Sequence, residues 1–135
     1  MTLDELQHTL PNGLHDAELA GINLDFPAGK AALTVNVDIG DSRADDRLRD
    51  GDMYRAARIE FAGVQFLVID PPAIEARYSS LSMIDAGLGQ PTTSPCVLPS
   101  IRKECFLCWI FVARWNSFIR ISAESVALEW IDDKH

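Results

Sequence analysis

Two short runs of strict alternation constrain this chain more than any other feature. From Glu18 the sequence passes through Ile22, Leu24 and Phe26, with Asn23 and Asp25 between them. After Pro27-Ala28-Gly29-Lys30 it resumes with Leu33, Val35, Val37 and Ile39, interleaved with Thr34, Asn36 and Asp38. A period of two sends successive side chains to opposite faces, so each run predicts a strand. The Gly-containing connection predicts an antiparallel hairpin with one face buried and one wet.

The same reading extends along the chain. Met53 to Ala62 alternates Ala57, Ile59 and Phe61 with Arg58 and Glu60, and Val64 to Ile69 continues as a more apolar strand that ends at Asp70-Pro71-Pro72. Glu104 to Arg114 is almost continuously apolar, which predicts a central strand covered on both faces. Phe118 to Ala123 and Val126 to Trp130 complete the set. Thr2 to Thr9 predicts a short helix: Thr2 and Glu5 have capping-box spacing, and Leu3, Leu6 and Leu10 form one stripe. Within Ala73 to Gly89, the spacing of Ile74, Tyr78, Leu81, Ile84 and Leu88 predicts one or two helical turns. Gln90 to Ser100 reads as loop.

Strands follow one another without a repeating strand–helix–strand unit. The predicted fold is therefore mainly β, or β-rich α+β: an antiparallel two-layer sandwich or curled sheet of six or seven strands with a short N-terminal helix. An α+β roll, with helices covering one sheet face, is the alternative. At 135 residues the chain is expected to form a single domain, residues 1–135. The expected core holds Ile22, Leu24, Phe26, Leu33, Val35, Val37, Ile59, Phe61, Phe66, Val68, Leu107, Trp109, Phe111, Ile119, Ile121, Val126 and Leu128. On that placement, truncating Phe111 to alanine costs about 3–5 kcal/mol.

Charge narrows the partners. The formal charge is −8, which repels phosphate backbones and argues against nucleic acid. Much of the acid lies in Asp41 to Asp52, where five aspartates surround Arg43, Arg47 and Arg49. That stretch reads as a solvated loop or as an acidic docking surface for a basic partner. Three cysteines, Cys96, Cys105 and Cys108, and an N-terminus without a basic, apolar leader fit a reducing cytoplasm. The longest apolar run, Cys105 to Ala113, falls far short of the roughly 20 residues that span a bilayer, so no membrane association is expected.

The one compact polar cluster is His15, Asp16 and Glu18. An imidazole beside two carboxylates suits a divalent metal, or a general base with its orienting group. Either use needs ligands or partners from another segment, and His8 and His135 are poorly placed to supply them. The commoner use is structural, with the side chains bonding backbone groups where the first strand begins. Cys105 and Cys108 have Cys-x-x-Cys spacing, but residues three apart on a strand face opposite ways, so core cysteines fit better than a redox pair or zinc site. There is no Gly-x-Ser-x-Gly elbow and no phosphate-binding glycine loop, and nothing calls for a cofactor. Trp115, in the turn Trp115-Asn116-Ser117, is a candidate interface anchor.

Leu14-His15-Asp16-Ala17-Glu18, followed by Ile22-Asn23-Leu24-Asp25 and Leu33-Thr34-Val35-Asn36-Val37, resembles a segment of small uncharacterised bacterial proteins. Some of these are grouped with immunity-protein-like families from toxin systems. The resemblance covers about the first 40 residues, with a looser echo from Trp115 to Trp130. It implies a compact, mostly β protein and carries no catalytic residues. The expectation is a non-enzymatic protein-interaction domain. The alternatives are a small-molecule-binding or hydrolytic domain using His15, Asp16 and Glu18, or a homodimer that pairs edge strands.

Overall fold

The computed structural model describes residues 1–40, 54–73, 81–90 and 97–131. One short helix, α1 (Leu3–His8), precedes eight strands: β1 (Glu18–Asp25), β2 (Lys30–Asp38), β3 (Tyr54–Ala62), β4 (Phe66–Ile69), β5 (Ser82–Leu88), β6 (Phe106–Val112), β7 (Ser117–Ala123) and β8 (Ser125–Trp130). The protein is mainly β and every strand pairing is antiparallel. The count is eight strands in one sheet, not six or seven, in the order β4-β7-β6-β5-β1-β2-β3-β8. The added strand is β5. Its Ile84 and Leu88 were spaced for a helix, yet Ile84 to Leu88 pair residue by residue with Val112 to Cys108 of β6. The rest of that predicted helix, residues 74–80, lies outside the described residues, as does the acidic stretch 41–52.

The connections curl the sheet. β8, at one edge, continues directly from β7, and β4, at the other edge, continues from β3. Both continuations bend at the same place. The Glu124 N–H reaches the carbonyls of Ala62 (3.0 Å) and Gly63 (3.2 Å), and the Gln65 N–H reaches that of Ser122 (2.7 Å). Gly63 makes the bend possible. Its φ of +61° favours glycine, and a Cβ there would meet the Glu124 side chain at 2.5 Å.

One face of the curl is the core. Leu33, Val35 and Val37 of β2, Ile59 and Phe61 of β3, Ile110 of β6, and Ile119 and Ile121 of β7 are fully buried on it. β1 carries one extra residue, Ala20, because its register against β2 shifts between Leu19 and Gly21. The bulge lets Leu19, Ile22 and Leu24 share the inner face, opposite Val35, Leu33 and Ala31. The outer face of β2, β3 and β8 is wet, with Arg58 bound to Glu129 (3.0 Å) and Lys30 near Glu60 (3.4 Å).

α1 packs against β5 and β8. Its capping box forms as the spacing predicts: the Thr2 N–H donates to Glu5 Oε1 (2.7 Å) and the Glu5 N–H to Thr2 Oγ1 (3.3 Å). These bonds from Thr2 hold the Glu5 carboxyl below its usual pKa. Leu3, Leu6, Leu10 and Leu14 are buried beneath the helix and the turn after it. The free edge of β8 is tied down there, since the Val126 N–H donates to the Met1 carbonyl (3.0 Å).

The expected core needs three corrections. Leu24 (40% exposed) and Phe26 (83%) are not core residues. Phe66, Val68, Leu107, Trp109 and Phe111 are half-buried on the opposite face of β4, β6 and β7, outside the central cluster. Ile22 and Leu128 are likewise only half-buried, although both pack against that cluster.

The aromatic outer face is a second apolar layer. Phe118 packs edge-on against Trp109 (centroids 5.8 Å apart) and tilted against Phe111 (5.2 Å). Trp109 lies over Gly87, where a Cβ would come within 2.6 Å of the indole. Arg120 is fully buried beside them and binds Asp70 at 2.6 Å. Gln65 fastens residues 97–104 to this side: it donates to the Ser100 carbonyl (2.8 Å) and accepts from the Arg102 N–H (3.1 Å) and Ser122 Oγ (2.8 Å).

Candidate functional site

The His15–Glu18 stretch divides in the structure. Asp16 takes a φ of +63°, a conformation that aspartate tolerates better than most residues, and its N–H donates to the Ile84 carbonyl (3.2 Å). The turn thus swings the chain from α1 into β1. Glu18 points to β2, where Asn36 Nδ2 donates to its Oε1 (3.4 Å). His15 keeps Asp16 (3.5 Å) and gains Asp85 of β5 (3.8 Å), all three side chains being about half exposed or more. Asp85 was not legible as a partner, because only the β5 pairing brings it there. Contacts this long between side chains largely open to water are weak. Among the described residues no three His, Cys, Asp or Glu side chains are grouped to hold a metal ion.

The cysteines also part. Cys108 is buried in β6, and Cys105 is half-buried ahead of that strand. Burial pushes the Cys108 thiol from the usual 9.0 up to about 12, against a smaller opposing effect of its hydrogen bond with the Ile121 backbone. Unfolded chains therefore release this proton from about pH 9, whereas folded chains keep it until about pH 12. Above pH 9 the unfolded state binds fewer protons, so stability falls with rising pH, by at most roughly 1.4 kcal/mol per unit. Denaturant unfolding at pH 8 and pH 10.5 measures this. Cys108→Ala should show a shallower decline than the parent.

An apolar opening lies elsewhere, between β1 and β4. β1 pairs with β5 only at Glu18 and Leu19. From Ala20 onward its second edge has no strand partner among the described residues. Among the described residues β4 pairs with β7 alone. Residues of both strands line two neighbouring depressions, taken together as a groove. A section of about 250 Å³ is lined by Leu19 to Ile22, Ile69, Ser82, Val112 and Trp115. A second of about 170 Å³ is lined by Leu24 to Phe26, Gly29, Lys30 and Val64 to Leu67. The Val64 N–H bond to the Gly29 carbonyl (2.9 Å) closes the far end. Trp115 is half-buried, packs on the core and forms part of the near end, rather than standing free in its turn.

The faces matter more than the volumes. Leu67 and Ile69 pair with Ile121 and Ile119, and Ile22 and Leu24 with Leu33 and Ala31, so all four groove residues lie on the core face. Yet Leu24 and Ile69 are 40% and 41% exposed. The core therefore opens to water along this seam. At the β5 and β8 side, α1 and the turn after it cover the core with Leu3, Leu6, Leu10 and Leu14. The groove was not legible in the sequence, where Leu24 looks like an ordinary core position and the other face of β4, Phe66 and Val68, was expected inside. Comparison with family models, curated proteins and solved structures found no match. Among the described residues no helix is long and apolar enough to cross a membrane.

Proposed function

We propose that this chain is a non-enzymatic protein-interaction module, of the immunity-protein kind that its first forty residues resemble, and that the β1–β4 groove is its binding surface. One observation carries the reading: side chains on the core face, Leu24 and Ile69, are exposed along a seam that no described residue fills, with Phe26 exposed at its end. A contiguous apolar surface of this kind on a small protein marks an interaction site. Trp115 supplies a rigid aromatic wall of the type that anchors partners. The net charge of −8 favours a basic partner over an acidic one.

The hydrolytic alternative has less support. His15, Asp16 and Asp85 sit in open solvent and line neither section of the groove, and general acid–base chemistry gains from a sheltered pocket.

Leu24→Lys separates binding from folding, because the side chain is already exposed. Affinity capture from the native host, at low and moderate salt, should retain a protein with the parent chain and lose it with Leu24→Lys. Recovery of the same proteins by both chains would defeat the groove as the binding surface.

A further inference from the structure

We infer that a second copy of this chain docks on the section of the groove that Trp115 lines, inserting its Phe26 against Ile22, Ile69 and Trp115. The inference goes beyond the interaction reading above and does not depend on it, because the chain carries both halves of the contact.

The protruding half is the turn between β1 and β2. Phe26 is the one aromatic side chain among the described residues that stands mostly in water, at 83% exposure. The turn holds it there: the Gly29 N–H donates to the Phe26 carbonyl (3.1 Å) and the Ala28 N–H to Asp25 Oδ1 (3.2 Å). Pro27 fixes one more backbone angle. A group held in place beforehand gives up little freedom on binding.

The receiving half is the section of about 250 Å³. A cavity of roughly 150 Å³ already admits benzene, so this one has room for a phenyl ring. It falls short of the roughly 300–1,000 Å³ of sites that enclose a small-molecule ligand. Its hydroxyl is already engaged, since Ser82 Oγ accepts from the Arg114 N–H (2.9 Å) and donates to the Met83 carbonyl (3.0 Å). Gly21 leaves open space in the wall, with no heavy atom within 4 Å of where a Cβ would stand.

Charge favours a second copy as the donor of the ring. Arg114, exposed and next to Trp115, forms no ion pair among the described residues. The carboxylates that adjoin the lining are committed elsewhere: Asp70 to Arg120 (2.6 Å) and Glu18 to Asn36 (3.4 Å). A carboxylate beside the inserted ring complements Arg114, and Asp25 directly precedes Phe26. Symmetry agrees with this placement. Asn23 lies midway between Ala20, in the lining, and Phe26. A two-fold axis near Asn23, with the two β1 segments antiparallel, brings each Phe26 to the other copy's Ala20, roughly 10 Å from the axis, so both rings insert at once. Two chains at −8 repel each other, so the dimer is weak and added salt strengthens it.

Sedimentation at rising protein concentration tests this. The parent should pass from monomer to dimer, and at lower concentration in high salt. Phe26→Ser removes an exposed side chain and Gly21→Leu fills open space. Each should weaken the dimer about tenfold or more while melting near the parent temperature. Mixed together, these two variants should associate more tightly than either does alone, because the pair regains one ring in one intact pocket. Arg114→Glu should weaken the dimer several-fold, and adding Asp25→Lys should restore much of that loss.

A parent that stays monomeric overturns the inference, as does a dimer indifferent to Phe26→Ser or to Gly21→Leu, or a mixture no tighter than its parts. A Gly21→Leu chain that melts well below the parent also overturns it, since the space is then filled from within the chain. Host-protein capture through Leu24 by a monomeric parent leaves the interaction reading standing and removes the second copy. A dimer with the stated sensitivities and no captured protein does the reverse.

Discussion

Asp70→Ala should destabilise the protein by about 3–5 kcal/mol, the cost of leaving a buried charge without its counterion. Asp70 Oδ2 is 2.6 Å from Arg120 Nη2, and the two side chains are 11% and 1% exposed. The pair joins the end of β4 to the middle of β7, where the Asp70 N–H also donates to the Phe118 carbonyl (2.9 Å). Among the described residues Arg120 Nε and Nη1 are buried without hydrogen-bond partners, so the guanidinium depends heavily on this one carboxylate. The double variant Asp70→Leu/Arg120→Met should recover most of the loss, because an apolar pair costs nothing in charge desolvation and the neighbouring Phe118 and Val68 are apolar. Thermal melts of the parent, both single variants and the double complete a cycle. The Asp70→Ala midpoint should fall by on the order of 10–20 °C. Additive effects of the two sites would show that the pair is not coupled.

Phe61→Ala should cost about as much, roughly 3–5 kcal/mol, for a different reason. Phe61 is fully buried on the core face of β3, 6.4 Å from the Phe106 ring, where a truncated side chain leaves a cavity that the packed neighbours cannot fully close. Phe111→Ala should cost distinctly less. It is half-buried on the outer face and packs on Phe118 rather than in the central cluster. Denaturant midpoints for the two variants test which layer is the core. A larger loss at Phe111 than at Phe61 would reverse the assignment.

That contrast marks where sequence pattern stops being informative. Alternation made β2 and β3 plain, and their inner residues Leu33, Val35, Ile59 and Phe61 are buried as the period of two requires. In β6 every residue is apolar, so the pattern could not say that Cys108 and Ile110 face the core while Trp109 and Phe111 face the outer layer. That is set by register against β7. β5 was misread because Ile84 and Leu88 also fit a helical spacing, and Gly87, which gives room to Trp109, signals nothing until Trp109 is placed above it.

The functional reading shows the same limit. His15 and Asp16 were visible as a polar pair, but Glu18 turned to Asn36 and Asp85 arrived from a strand seventy residues away. The groove left no local signal. It exists because β1 bulges at Ala20 and parts from β5, and because β4 leaves β3 at Gly63. Both are consequences of which strands pair, not of what any strand contains.

The pairing pattern also dictates an order of events during synthesis. β1, β2 and β3 leave the ribosome as a meander, but the partners of β3 and β4, namely β8 and β7, are made roughly sixty residues later, and α1 cannot dock on β8 until then. A helix of six residues is unstable alone, so the N-terminal segment has to wait unfolded for its site. Contacts of such long range make for slow folding, in the range of milliseconds to seconds, and leave the outer edges of β1 and β3 open to wrong pairings meanwhile. Nascent chains stalled before β7 should bind a general chaperone, and release it once β8 has emerged.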